Sequence, residues 1–303
     1  MNRRKWYAFR DSPGSSEHIL EAPLRPEEVA LTRRIQLSYS TAITRHRKLH
    51  WTEAISWFTW IIALITSAIW CLTAYQVALA AGAHTLRYVL ANAFSNSQNA
   101  DILIAYGAKY NQAILEGQYW RFVTPVFLHV NILHLGLNML NLIVLGIFVE
   151  RIFGHLRFLL IYLITGVISI IAIFYFAPHE ISVGASGAIF GLVGAYSLFV
   201  FIHRKAFRKG GIPALSWLVL IIGINLGIGL ILPNVDNYAH VGGFLSGCVL
   251  GWFFAPFYVL PQIEEGKTVL IDTHSLTRRW PLALLIIAAT GLFAIIAVHF
   301  SGG

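Results

Sequence analysis

Charge is what this chain has least of. Only 12% of its 303 residues are Asp, Glu, Lys or Arg, 57% are hydrophobic, and mean hydropathy is +0.66. A soluble domain carries about a quarter of its residues charged, so a soluble globular fold is excluded and an integral membrane protein is expected. Acidic residues are absent from the interior of every apolar run, and Glu150 stands just past the end of one. That scarcity counts against a proton-coupled transporter built on His134 and His240, which would need carboxylates or a relay deeper in the bundle. Cysteine is nearly missing too. Cys71 and Cys248 both fall inside apolar runs, so no disulfide framework or thiolate zinc site follows, and no cofactor or metal is expected.

What is present is a series of seven apolar runs, near residues 54 to 81, 127 to 149, 156 to 177, 186 to 203, 213 to 232, 238 to 259 and 281 to 300. Each approaches the ~20 residues that cross ~30 Å of hydrocarbon as helix. Barrel strands would be shorter and would alternate, so the expected fold class is all-α. The net charge of +8 follows the membrane rather than a nucleic-acid surface: ten Lys/Arg precede the first run, and taking alternate loops from there puts 19 of the 22 on one side. Arg87, Lys109 and Arg121 are left on the other. Because positively charged loops stay in the cytoplasm, the N-terminus is expected inside and the C-terminus outside.

Three parts are expected along the chain: a basic cytoplasmic tail over 1–53, a membrane core over 54–260 with a long outer loop at 82–126, and a cytoplasmic loop plus the last span over 261–303. The stretch before Trp51 has no apolar core, so it reads as a tail rather than a cleavable signal. Compactness points to a bacterial plasma (inner) membrane. Tyr119-Trp120-Arg121, closing the outer loop, has the composition of an interfacial aromatic and cationic anchor.

The polar residues that remain in the runs are therefore conspicuous. His134 and Asn138 lie one helical turn apart on one face. Ser186 opens the fourth run within Gly184-Ala185-Ser186-Gly187, and His240 opens the sixth. All three runs start from the outer side, so the four residues share the outer half of the membrane. Gly187, Gly191 and Ala195 recur at four-residue spacing in one run, and Ala239, Gly243, Gly247 and Gly251 in the other. Stripes of small residues let two helix backbones approach closely in lipid. A serine beside an imidazole is a nucleophile with its base. The Ser186 amide at a helix N-terminus, with the side chains of His134 and Asn138, can receive an oxyanion. Phe190, one turn from Ser186, is placed to stack on His240 or to serve as plain core. Asp236 reads as a loop cap, and His129, off the His134 face, as a brace for the outer loop.

Taken together these motifs resemble the rhomboid family of intramembrane serine proteases. The matching residues are Trp120-Arg121, His134-Leu-Gly-Leu-Asn138, Glu150-Arg151 through Gly154, Gly184-Ala185-Ser186-Gly187 with Phe190 and Gly191, and Ala239-His240-Val-Gly-Gly243 with Gly247. The resemblance implies a six-helix core plus one extra C-terminal transmembrane helix. It assigns Ser186 and His240 as a catalytic dyad, and His134, Asn138 and the Ser186 amide as the oxyanion hole. Phe190, Gly184, Gly187, Gly243, Trp120, Arg121 and Glu150 are implied as supporting residues. The implied partners are single-pass transmembrane substrates in the lipid bilayer, with no nucleic acid. Many members have arginine two residues after the glutamate, where this chain has Ile152, which leaves a loop-anchoring role for Arg151 less supported. A non-proteolytic binding or quality-control protein of the same fold is the main alternative.

Overall fold

The computed structural model describes residues 48–49, 55–82, 99–204, 237–264, 267–274 and 276–301, with Thr85 and Arg87. All belong to one compact unit, Arg47–Gly303. Nearly all of the expected tail, Asp236 and the expected fifth span, 213 to 232, lie outside the described residues.

Six long helices correspond to the other six expected spans. In chain order the elements are strand β1 (Lys48–Leu49), α1 (Trp57–Ala80), the short α2 (Ala100–Ala105) and α3 (Asn111–Leu115), then two 3-10 turns at Tyr119–Phe122 and Thr124–Phe127. After these come α4 (Ile132–Phe153), α5 (His155–Phe176), α6 (Ser186–Ile202), α7 (Asn237–Phe254), strands β2 (Tyr258–Glu264) and β3 (Lys267–Asp272), and α8 (Leu276–Ser301). Helices α1, α4, α5 and α8 are each long and apolar enough to cross a membrane, and α6 is a shorter apolar helix of 17 residues. The protein is an integral membrane protein of helical fold.

Several boundaries differ from the expectation, each for a local reason. The second span starts at Ile132 instead of 127, because Leu128 is extended and the Asn131 side chain accepts the His134 N–H at 2.8 Å as an N-cap. It runs on to Phe153 and stops at Gly154, whose φ of +85° favours glycine. The sixth stops at Phe254, two residues before Pro256, which has no N–H and keeps its predecessor out of the helical region. The seventh begins earlier, at Leu276, and carries Pro281 within it.

The segment expected as a loop after the sixth span is a β-hairpin. Strands β2 and β3 pair antiparallel, and β1 joins the far side of β3 through Lys48↔Ile271 and Leu49↔Leu270, giving the order β1-β3-β2. The register shifts between Val259 and Gln262, where Pro261 has no N–H to give the ladder. One buried ion pair fastens the hairpin to the bundle. Arg157, near the start of α5, donates to Asp272 Oδ2 at 2.8 Å and to the His274 carbonyl, while Asp272 Oδ1 accepts the N–H groups of Phe257 and His274.

Helix α5 is packed inside the described bundle, with buried residues along its whole length, whereas α8 is mostly exposed. The tightest contact is between α6 and α7. A methyl group on Gly243 would stand 2.0 Å from the Gly187 carbonyl oxygen, and one on Gly247 equally close to that of Gly191. Gly194 meets the Phe244 carbonyl, and Gly251 meets the backbone of Ala195. The α7 stripe thus lies against the α6 backbone at Gly187, Gly191 and Ala195, while the missing side chains of Gly187 and Gly191 leave room for Ser169 and Thr165 of α5, a close packing that lipid favours because side-chain burial offers no hydrophobic gain there.

Candidate functional site

Ser186 is the first residue of α6 and is only partly buried, so its amide is one of the four at a helix start that no carbonyl of the same helix can satisfy. His240 stands in the first turn of α7 and is 5% exposed. The α6–α7 contact brings their starts together: a Cβ on Gly187 would lie 3.4 Å from the Ala239 carbonyl oxygen, and Gly243 abuts Gly187. Phe190 lies flat on the His240 imidazole, with ring centroids 4.3 Å apart and planes 13° from parallel. The Nδ1 atom of His240 is buried and has no hydrogen-bond partner among the described residues. The flat contact with Phe190 limits how this ring can turn.

His134 reaches the same place from α4. The space a Cβ on Gly184 would fill is 2.9 Å from His134 Cε1 and Nε2 and 4.0 Å from Ser186 Oγ. Gly184 also has φ +135°, a region nearly closed to other residues. Two independent demands, backbone angle and ring clearance, thus fall on one glycine. Asn138 is buried one turn along α4, and its Nδ2 donates to the His134 carbonyl at 2.9 Å. An amide nitrogen carries two N–H groups, which leaves one for another acceptor.

The segment leading to Ser186 is held from both sides. The Gly184 N–H donates to the Pro125 carbonyl at 2.9 Å, and Ala185 N–H points at His129 Nε2 at 3.4 Å. His129 is fully buried, with its ring edge-on to His134 at 5.0 Å. The expected brace for the outer loop thus also touches the residue before Ser186.

The outer loop divides its Trp-Arg pair. Trp120 is 57% exposed, as an interfacial anchor would be, while Arg121 turns inward and is buried. Its guanidinium donates to Gln118 Oε1 and to the carbonyls of Ile104 and Ala108, all at 2.8 Å. Burial lowers its pKa from the ordinary arginine value. Arg121 is therefore an internal tie of the loop.

Glu150, at the opposite end of α4, is 1% exposed and reaches α1. It accepts the N–H groups of Phe58 (3.0 Å) and Thr59 (2.8 Å) and the Thr59 hydroxyl (2.6 Å), and it contacts His155 Nδ1 at 2.5 Å. An acid on the first N–H groups of a helix answers both the unsatisfied donors and the dipole. No motif at Ser56-Trp57 revealed this, because the cap comes from 92 residues away.

Sequence reasoning also passed over Lys109 and Asn131. The N-cap spacing Asn131 to His134 was readable. Lys109 gave only the weak signal of a lone cation in a semi-apolar loop. Among the described residues, no group of three or more His, Cys, Asp or Glu could hold a metal ion.

Comparison with known proteins gives the same picture. The Rhomboid domain profile matches residues 116–257, a range that contains every residue of the site. The chain is 43% identical over 186 residues to the rhomboid protease GluP of Bacillus subtilis, covering 61% of this chain and 35% of that protein. It is 31% identical over 263 residues to RHOMBOID-like protein 4 of Arabidopsis thaliana, covering 81% and 66%. With Rhomboid-type serine protease 2 of Emericella nidulans, identity is 35% over 136 residues, covering 44% and 26%. The chain thus spans between about a quarter and two thirds of the length of these relatives.

Proposed function

Since this chain belongs to the rhomboid family, we propose that it is an intramembrane serine endopeptidase that cleaves single-span transmembrane proteins with a Ser186–His240 dyad. The observation that carries the reading is the His240 ring stacked on Phe190 in the first turn of α7, which packs by backbone contact on α6, the helix that Ser186 starts. The names of two relatives, a rhomboid protease and a rhomboid-type serine protease, support the reaction class.

In this reading Ser186 Oγ attacks the scissile carbonyl as His240 takes its proton. His240 then protonates the leaving amine, and water hydrolyses the acyl-enzyme by the reverse sequence. The oxyanion is received by the Ser186 N–H, His134 and the remaining Asn138 N–H. Substrate must unwind locally before its carbonyl is available, since a membrane helix spends its carbonyls internally. The site lies toward the outer face if the basic segments are cytoplasmic, so products leave outward.

The test is cleavage of a tagged single-span substrate in proteoliposomes by the wild type, Ser186→Ala and His240→Ala. Product from the wild type alone is expected. Equal product from Ser186→Ala would remove Ser186 as nucleophile, and no product from any, over several substrates, would favour a non-proteolytic member of the family.

A further inference from the structure

Lys109 is fully buried, which is rare for a lysine. It lies in the outer loop between α2 and α3, and its Nζ donates to the Ala177 carbonyl at 2.6 Å and the Glu180 carbonyl at 2.8 Å. Ala177 is the C-cap of α5, where helix carbonyls lack partners and the dipole is negative. A cation is the group best suited to that end. The backbone of the same residue is paired in both directions with Ser182: Lys109 N–H donates to the Ser182 carbonyl at 3.0 Å, and Ser182 N–H donates back at 3.2 Å. One residue therefore holds the 177–185 segment at three carbonyls and one amide.

That segment ends at Ser186. Its far end is held by Gly184 N–H on the Pro125 carbonyl, and Gly184 is the residue whose missing side chain leaves room for His134. Displacing the segment at Ser182 moves Gly184 two residues later, and with it the spacing of Ser186 against His134. Asn111, two residues beyond Lys109, offers a contrast. Its Nδ2 also bonds α5, at the Phe174 carbonyl, but among the described residues it makes no hydrogen bond to 177–185.

We propose that Lys109 is a positioning residue for Ser186, acting through the 177–185 segment. The proposal rests on the protease reading for its kinetic consequence, and on geometry alone for its structural one. The experiment uses the full chain in proteoliposomes with Lys109→Met, Lys109→Arg and Asn111→Ala. Three properties are measured: cleavage of a single-span substrate, the rate of Ser186 labelling by a fluorophosphonate probe, and amide hydrogen exchange of the 177–187 peptide. For Lys109→Met we expect kcat to fall at least tenfold with KM within twofold, labelling to slow in parallel, and exchange at residues 180–186 to accelerate. Lys109→Arg keeps the cation and is expected to recover part of each. Asn111→Ala, at comparable loss of thermal stability, is expected to label Ser186 at the wild-type rate. A folded Lys109→Met protein with wild-type labelling and exchange would overturn the proposal, as would Asn111→Ala slowing the labelling equally. If Lys109→Met does not fold, Lys109→Gln, which also removes the cation, carries the same comparison, and wild-type labelling and exchange there would overturn the proposal. A wild type inert to substrate and probe, with exchange still accelerated by Lys109→Met, would reject the protease reading and keep the structural role.

Discussion

Glu150 shows how one side chain can act at the end of a helix it does not belong to. Because it satisfies two amides and a hydroxyl of α1, Glu150→Gln replaces an acceptor with an amide group that would face N–H donors. Leaving such buried donors unsatisfied costs about 1–3 kcal/mol. Thermal unfolding in detergent should register that loss, while the folded fraction labels Ser186 at the wild-type rate; an unchanged melting temperature would remove the capping role. Phe190 gives a second prediction. Aromatic stacking of this kind is worth about 0.5–1.5 kcal/mol, so Phe190→Ala should slow cleavage roughly 2- to 12-fold and Phe190→Tyr should restore it, and full activity in Phe190→Ala would mean that His240 is oriented by something else. At this scale the sequence was legible wherever a polar residue broke an apolar run: Ser186, His240, His134 and Asn138 all stood out against their surroundings. Lys109 and the Glu150 cap did not, since each acts on backbone atoms far away in the chain and leaves no local pattern.

Among the elements, the α6–α7 pair is the one that composition described best. The four-residue spacing of Gly and Ala predicted close approach, and the structure places carbonyl oxygens where side chains would be. Gly247→Ala should therefore push the helices apart, with an overpacking penalty of about 1–3 kcal/mol, measurable as lowered thermal stability and lost cleavage. Gly291→Ala in α8 meets nothing within 4 Å and is the control; if both variants behaved alike, the stripes would be incidental. Helix ends were harder to read. Phe127, Leu128 and Val130 carry the apolar pattern ahead of α4, and the Asn131 cap shows that the helix waits until Ile132. The hairpin β2–β3 was missed for a related reason: residues 258–272 lack a clean alternation, and Pro261 occupies an irregularity in the pairing.

For the molecule as a whole, the charge distribution and the structure meet on a common axis. Helix α5 runs about 33 Å at 1.5 Å per residue, with Arg157 and its Asp272 partner at one end and the Lys109 anchor at the other. The positive-inside argument predicts the hairpin in the cytoplasm and the Lys109 loop outside. A membrane-impermeant maleimide applied to intact cells should label Glu116→Cys and spare Thr273→Cys, in a background with Cys71 and Cys248 replaced by serine. The reverse pattern would invert the orientation. The contact between Gly187 and Gly243 has a mechanical corollary. Two backbones already touching have no compressible layer of side chains between them, so the pair behaves as a stiff frame, with the serine mounted on one rail and the histidine on the other. On the proposed function, the rearrangement that admits a bulky helical guest is expected to leave that frame undeformed and take place in the parts hung around it.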